Sequence, residues 1–142
     1  MPAVLISNRQ TAAVDEPALT RLALVTLHGE GLADVELSVS FVDEAEIEDL
    51  HVRYMDEPGP TDVLSFPLDD VDEGGTRLLG DVVIAPAVAA RNNPADPDAE
   101  LRLLLVHGIL HLLGYDHERS PADARVMFAR QRAMLRAMRA ER

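Results

Sequence analysis

The segment HGILHLLGYDH, residues 107–117, decides how this sequence can fold and what it can do. His107 and His111 are four residues apart, so on a helix both side chains project from the same face, one turn from each other. Gly114 follows, and glycine readily adopts the positive φ that ends a helix and reverses the chain. We therefore predict a helix that ends near Leu113 and a turn that brings His117 back to the other two imidazoles.

The three histidines form a candidate metal site. Zinc accepts imidazole nitrogen at about 2.0–2.1 Å, and two His at i and i+4 can reach one ion. Two His at this spacing also occur by chance, but three of the five His in the chain fall within these eleven residues. Three nitrogen ligands without a thiolate are typical of catalytic zinc, which keeps one position for water or substrate. We predict one Zn²⁺ per chain, held by His107, His111 and His117.

On either side of this segment the sequence mixes helical and strand patterns. Residues 99–113 are rich in Leu and predict a mostly buried helix, whereas VELSVSFV at 35–42 alternates with period two and predicts a strand. The remaining predictions are strands at 3–7, 62–66 and 78–85, helices at 17–28, 43–54, 86–91 and from 121 onward, and connections at 56–60, 68–75 and 92–98. Because strict strand–helix alternation is missing, we predict an α+β fold. It is a single domain spanning residues 1–142, with a small mixed β-sheet packed against helices and the metal site at the end of a buried helix.

Composition narrows the class of protein. The 142 residues are 47% hydrophobic and 27% charged, which is typical of a globular chain, and none is Cys. Disulfides, thiolate nucleophiles and Cys-based zinc fingers are therefore excluded. The N-terminal residues do not resemble a signal peptide, and no apolar run approaches the roughly 20 residues that span a bilayer. We predict a soluble, cytoplasmic protein without a membrane partner.

The charge is strongly negative and unevenly distributed. The formal net charge is −12, which argues against tight, non-specific binding to nucleic acid. Residues 118–142 nevertheless carry seven Arg and only three acids. We interpret this basic tail as a solvated helix face, with an RNA contact as the alternative.

The spacing HxxxHxxGxxH also occurs in one class of zinc proteases. Those enzymes have Glu directly after the first His, where it acts as the general base. Gly108 occupies that position here. A zinc metallohydrolase of peptidase type therefore stays an alternative function for the three histidines.

The sequence closely resembles the YbeY family of metal-dependent endoribonucleases, which are ribosomal RNA maturation factors. The segment at 107–117 resembles the signature of that family, and PTDVLSFP at 60–67 and LGDVVIAP at 79–86 agree with it in order and spacing. The resemblance covers residues 35–120 well. It implies an α+β fold, zinc bound by the three His, and single-strand-specific cleavage of RNA. It further implies action in 16S rRNA 3′-end maturation and ribosome quality control, with the small ribosomal subunit and its assembly factors as partners. The alternatives to this interpretation are the zinc metallohydrolase of peptidase type and a non-catalytic ribosome-assembly factor in which the three histidines are structural.

Three other residues are candidates for catalytic roles. Asp116 flanks His117 and could act as a general base or orient a ligand imidazole. Ser65 could hydrogen-bond a phosphate or the attacking water. Arg53 is a candidate phosphate contact. The YbeY family often has Arg directly after the residue equivalent to Tyr54; this chain has Met55 there, and Arg53 directly precedes Tyr54.

Overall fold

The computed structural model describes residues 1–57 and 61–140, so part of the predicted loop at 56–60 and of the PTDVLSFP segment lies outside the described residues. The described part of the chain forms one α+β domain, as predicted from the sequence. Its strands are β1 (Ala3–Asn8), β2 (Val35–Phe41), β3 (Val63–Val71) and β4 (Arg77–Ile84). Its helices are α1 (Glu16–Gly29), α2 (Glu44–Met55), α3 (Pro86–Asn92), α4 (Pro97–Leu112) and α5 (Pro121–Ala140).

The four strands form one mixed sheet in the order β1-β2-β4-β3. β1 and β4 run parallel to β2, and β3 runs antiparallel to β4. Along β2, buried and half-buried residues alternate, because successive side chains point to opposite faces of a strand. Both faces of the sheet are therefore available to helices.

Two apolar clusters cover these faces. The larger one packs α1, α4 and α5 against β2 and β4, and its fully buried members include Leu22, Phe41 and Ile109. The smaller one packs α2 against β3 and the alternate residues of β4, around Ile47 and Val83. α4 contacts the sheet, α1 and α5, so it is the central helix of the larger layer. This position fixes the helix that carries His107 and His111.

The helices begin where the sequence places caps. The carboxylate of Asp43 accepts a hydrogen bond from the backbone N–H of Glu46 at 2.8 Å, and the hydroxyl of Ser120 accepts one from the N–H of Asp123 at 3.0 Å. Such side-chain acceptors satisfy N–H groups that have no partner within the helix. Asp43 and Ser120 are therefore N-caps.

β3 is longer than the sequence predicts. The sequence predicts a connection at 68–75, but residues 68–71 continue β3, and Asp70 and Val71 pair with Leu78 and Arg77 of β4. The register shifts between Pro67 and Asp70, opposite Gly80, whose φ is +127°. A Cβ at Gly80 would lie 2.1 Å from the carbonyl oxygen of Phe66, so only glycine lets the strands approach there. No helix in the described part of the chain is long and apolar enough to cross a membrane.

Candidate active site

α4 presents His107 and His111 at its C-terminal end. The helix begins at Pro97 behind Asp96, whose carboxylate accepts from the N–H of Ala99 at 3.1 Å. Apolar residues hold its opposite sides against the sheet and the neighbouring helices. His107 is half-buried and His111 is exposed, so the shared face of the two imidazoles opens to solvent at one end.

The turn after α4 delivers His117. Gly114 has φ +101°, its N–H bonds the carbonyl oxygen of His111, and the N–H of Tyr115 bonds that of Leu110, both at 3.1 Å. These two bonds form a Schellman motif, in which a glycine in the left-handed region closes the helix. The predicted turn is confirmed. It returns the chain so that the ring centroids of His107 and His117 lie 5.0 Å apart.

Two of the histidines have one ring nitrogen engaged by a carbonyl-type oxygen. Nδ1 of His107 lies 2.5 Å from Oε1 of Gln131 on α5, and Nδ1 of His111 lies 3.1 Å from the backbone oxygen of Tyr115. Since these oxygens only accept hydrogen bonds, each Nδ1 carries the proton. In a neutral imidazole the lone pair is then on Nε2, which is the form that binds a metal. Burial lowers the pKa of His107 and so favours its neutral form, although the hydrogen bond to Gln131 acts in the opposite direction.

His117 is not satisfied by the protein around it. Its Nδ1 is buried and has no hydrogen-bond partner among the described residues, and its Nε2 lies 3.9 Å from a carboxylate oxygen of Glu118. A buried polar atom without a partner costs about 1–3 kcal/mol, which a bound ligand would remove. The ring of Phe128 also lies beside that of His117, with centroids 5.9 Å apart.

The donor set fits a zinc ion in its chemistry. With the rings as placed, no group of three or more His, Asp or Glu side chains in residues 1–57 and 61–140 could hold a metal ion. The three imidazoles nevertheless line one cleft, two of them in the tautomer that leaves Nε2 free and the third with an unpartnered nitrogen. The metal site therefore stays a prediction that the donor chemistry favours. For one ion to contact all three imidazoles, their rings would have to move from the positions described.

The cleft has a volume of about 520 Å³ and lies between α4, α5 and the start of β3. Its described lining is acidic: it includes Glu57, Asp62, Glu100 and Glu118 and no Arg. Burial, with a smaller contribution from the charge of Asp62, raises the pKa of Glu100. The described residues that line the cleft thus offer no permanent positive charge for a phosphate.

The predicted catalytic residues occupy three different environments. Ser65 lines the cleft, is buried, and donates its hydroxyl to the backbone oxygen of Gly108 at 2.9 Å, tying β3 to α4. The described lining of the cleft includes neither Arg53 nor Asp116. Arg53 pairs with Asp49 at 3.2 Å on the exposed side of α2. Asp116 accepts the N–H of Glu118 at 2.9 Å, a bond that lowers its pKa.

Sequence reasoning missed the residues that surround the histidines. Gln131, Phe128 and Glu100 line the cleft, as does His51, one of the two histidines outside the segment at 107–117. Helical periodicity could have identified Glu100, which lies seven residues before His107 and so shares its face of α4. Gln131 and Phe128 come from α5, and the sequence carries no local signal that this helix packs beside the histidines.

Comparison with known proteins places the chain among relatives. The family model described as endoribonuclease YbeY matches residues 5–139. The chain belongs to the YbeY family. A curated endoribonuclease YbeY from Acidothermus cellulolyticus is 48% identical over 98% of this chain and 93% of its own length. Another, from Beutenbergia cavernae, is 49% identical over 92% of this chain and 93% of its own.

A solved structure supports the same fold for this YbeY family chain. The solution structure of a Thermotoga maritima protein superposes with a TM-score of 0.64 and 28% sequence identity, covering 99% of this chain and 91% of that one. The family resemblance read from three short segments of sequence is therefore confirmed over nearly the whole chain.

Proposed function

We propose that the protein is a zinc-dependent endoribonuclease that hydrolyses phosphodiester bonds of single-stranded RNA. The observation that carries the proposal is the arrangement of His107 and His111 on one face of α4, each with Nδ1 bonded to an oxygen and Nε2 free. It occurs in a chain of the endoribonuclease YbeY family, with His117 in the same cleft.

His107, His111 and His117 would hold the ion. When bound, zinc supplies a Lewis acid that polarises a phosphoryl oxygen and lowers the pKa of a coordinated water towards about 7. Ser65 lines the cleft beside this position, with its proton donated to Gly108 and its oxygen free to accept. It can therefore hold a water or a 2′-hydroxyl in place. For Asp116 and Arg53, catalytic roles stay predictions, since neither is among the described residues that line the cleft.

The preference for single strands is supported by Phe128. The ring is 38% exposed, faces His117 and lines the cleft. A solvent-facing aromatic ring can stack on an unpaired base, whereas the bases of a duplex are already stacked on each other. An RNA chain whose base rests on Phe128 would pass its backbone next to the three imidazoles.

The acidic charge supports a ribosomal setting. A chain of net charge −12 with four carboxylates around its cleft attracts free RNA poorly. A partner that presents the RNA removes this difficulty. As membership of the YbeY family implies, we propose that the enzyme acts in 16S rRNA 3′-end maturation and ribosome quality control in the cytoplasm, with the small ribosomal subunit and its assembly factors as partners.

The experiment that tests the proposal compares wild type with His111→Ala. Zinc content is measured by elemental analysis, and cleavage is measured on a single-stranded RNA and on its duplex form. We expect about one zinc per chain in wild type, cleavage of the single strand only, and loss of both metal and cleavage in the variant. Absence of bound metal from wild type would overturn the metal site. Bound zinc without cleavage of any RNA would overturn the enzyme class.

The peptidase alternative loses support at Gly108. A Cβ there would lie 2.6 Å from Cγ1 of Val82, so position 108 faces the sheet and not the cleft. A Glu at this position could not reach a substrate bound at the histidines. For a non-catalytic assembly factor, chelation should unfold the protein, whereas for the proposed enzyme chelation should abolish cleavage and leave the circular dichroism spectrum unchanged.

A further inference from the structure

We propose that α5 positions the zinc ligands of α4, through Gln131 acting on His107 and through Arg130 and Glu30 acting on His111. This inference rests on the proposed metal site. Both residues of α5 act through a histidine and neither reaches the ion itself, so they are positioning residues.

Gln131 is placed as a dedicated hydrogen-bond partner. Its side chain is among the few buried polar ones, with 6% of the residue exposed. A buried amide costs free energy unless it is hydrogen-bonded, and its oxygen lies 2.5 Å from Nδ1 of His107. This bond fixes both the tautomer and the ring angle of His107. Carbonyl or carboxylate acceptors on the second nitrogen of a ligand imidazole serve this purpose in metal sites generally.

The second connection runs through the turn after α4. The phenol of Tyr115 donates to Oε1 of Glu30 at 2.6 Å, and Nε of Arg130 donates to the other carboxylate oxygen at 3.0 Å. Arg130 also donates from Nη2 to the backbone oxygen of Gly29 at 3.2 Å. The side chain of Glu30 is only 9% exposed, so this charged pair is shielded from water on one side. The network holds Tyr115, and the backbone oxygen of Tyr115 is the acceptor for Nδ1 of His111.

The two connections start from neighbouring residues of one helix. Arg130 and Gln131 are adjacent on α5, yet one holds the turn that bonds His111 and the other bonds His107 directly. The docking of α5 thus sets two of the three imidazoles at once. The third, His117, lies on the segment between α4 and α5.

The first test replaces the acceptor while keeping the shape of the side chain. Gln131→Met removes the oxygen, and Gln131→Glu keeps it and adds charge. Arg132→Met, at the exposed next position of α5, is the matched control. Zinc affinity is measured by competition with a chromogenic chelator. We expect a loss of about 10–100-fold for Gln131→Met, and wild-type or tighter binding for Gln131→Glu and Arg132→Met.

The second readout needs no metal. Long-range proton–nitrogen NMR spectra of the metal-free protein report which nitrogen of each imidazole carries the proton. We expect His107 protonated at Nδ1 in wild type and in Arg132→Met, and a shift of the proton towards Nε2 in Gln131→Met. A purely structural role for Gln131 would leave this tautomer unchanged, and unchanged spectra together with unchanged zinc affinity would overturn the proposal.

Tyr115→Phe tests the second connection. It removes the hydroxyl that bonds Glu30 and keeps the backbone oxygen that bonds His111. We expect zinc affinity to fall severalfold, because the turn loses its anchor, and the His111 resonances to shift in the metal-free protein. Wild-type affinity with unshifted His111 resonances would overturn this half of the proposal. If wild type bound no zinc but His107 still carried its proton on Nδ1 and lost it there in Gln131→Met, the proposed function would fail. The positioning of His107 by Gln131 would still be supported.

Discussion

At the scale of single residues, Gly108 shows how the site and the core share one helix. It directly follows His107, yet it is buried against Val82 and Val63 of the sheet, where a Cβ would approach to 2.6 and 3.3 Å. Its backbone oxygen accepts the hydroxyl of Ser65. The missing side chain lets α4 approach the sheet closely, and that approach sets the depth of His107 in the cleft.

We therefore predict that Gly108→Ala is destabilising. The added methyl group overpacks a core that has no room, which costs about 1–3 kcal/mol, whereas the gain in helix propensity is only about 1 kcal/mol. The free energy of unfolding is measured by chemical denaturation. Gly74→Ala is the control, because a Cβ there meets only an oxygen of Asp72 at an ordinary 3.4 Å. Equal stability of the two variants would contradict the packing argument.

Phe128 gives a second prediction at this scale. Phe128→Leu keeps an apolar side chain but removes the ring that faces His117, so stacking on a base is lost. Stacking contributes about 1–3 kcal/mol per base, and we expect KM for single-stranded RNA to rise about fivefold or more at unchanged zinc content. Phe128→Tyr keeps the ring and should stay near wild type. Equal KM values for Phe128→Leu and Phe128→Tyr would count against a stacking role for Phe128.

At the scale of elements, one bidentate ion pair joins α2 to α3. Arg91, in the last turn of α3, donates to both carboxylate oxygens of Glu44, in the first turn of α2, at 2.7 and 2.6 Å. The hydrogen bonds and charge of Arg91 lower the pKa of Glu44. Glu44 places a negative charge at the N-terminus of α2 and Arg91 a positive charge at the C-terminus of α3, so each charge also interacts favourably with the dipole of its helix.

The pair predicts a pH dependence. Because the pKa of Glu44 is lower in the folded state, its contribution to stability is fully present above about pH 4.5 and is lost as the pH falls through the lowered pKa. Glu44→Gln should therefore be slightly less stable than wild type at pH 7, with the difference shrinking below about pH 4.5. Glu48→Gln, at an exposed position of the same helix, is the control. A difference that grows as the pH falls would reverse the assigned sign.

The elements show where sequence reasoning succeeds. α4, its turn at Gly114 and the caps at Asp43 and Ser120 could be predicted because each depends on residues within four positions of one another. The extension of β3 to Val71 could not. Acidic residues disfavour strands, and pairing with β4 across the bulge at Gly80 overrides that local preference.

The same distinction applies to the candidate site. His107, His111 and His117 lie within one segment and could be proposed from spacing alone. Gln131 is 24 residues from His107, and Glu30 is 85 residues from Tyr115. These contacts form only when α1 and α5 pack on α4, so no local sequence pattern predicts them.

At the scale of the whole molecule, charge governs how RNA reaches the cleft. The net charge is −12, and the described lining of the cleft includes four of the carboxylates and no Arg. Few phosphates can be neutralised by such a surface, so few counterions are released on binding.

We therefore predict weak binding of free single-stranded RNA to the metal-free protein, with little dependence on salt. The affinity is measured by fluorescence anisotropy between 50 and 200 mM salt. Over this range a protein with 6–10 phosphate contacts would lose roughly 10³–10⁵ in affinity. We expect the affinity of this protein to fall by less than about tenfold, with the same salt dependence for Arg53→Ala. A steep slope in wild type that Arg53→Ala reduces would instead identify a basic RNA path centred on Arg53.

The dependence of the histidines on α5 has a consequence during biosynthesis. α4 leaves the ribosome before α5, which begins only after residue 120. Until α5 has left the exit tunnel and docked, the nascent chain lacks the acceptor for His107 and the Arg130 side chain that holds Glu30 beside Tyr115. The proposed zinc site would therefore be fully ordered only after α5 has docked on α4.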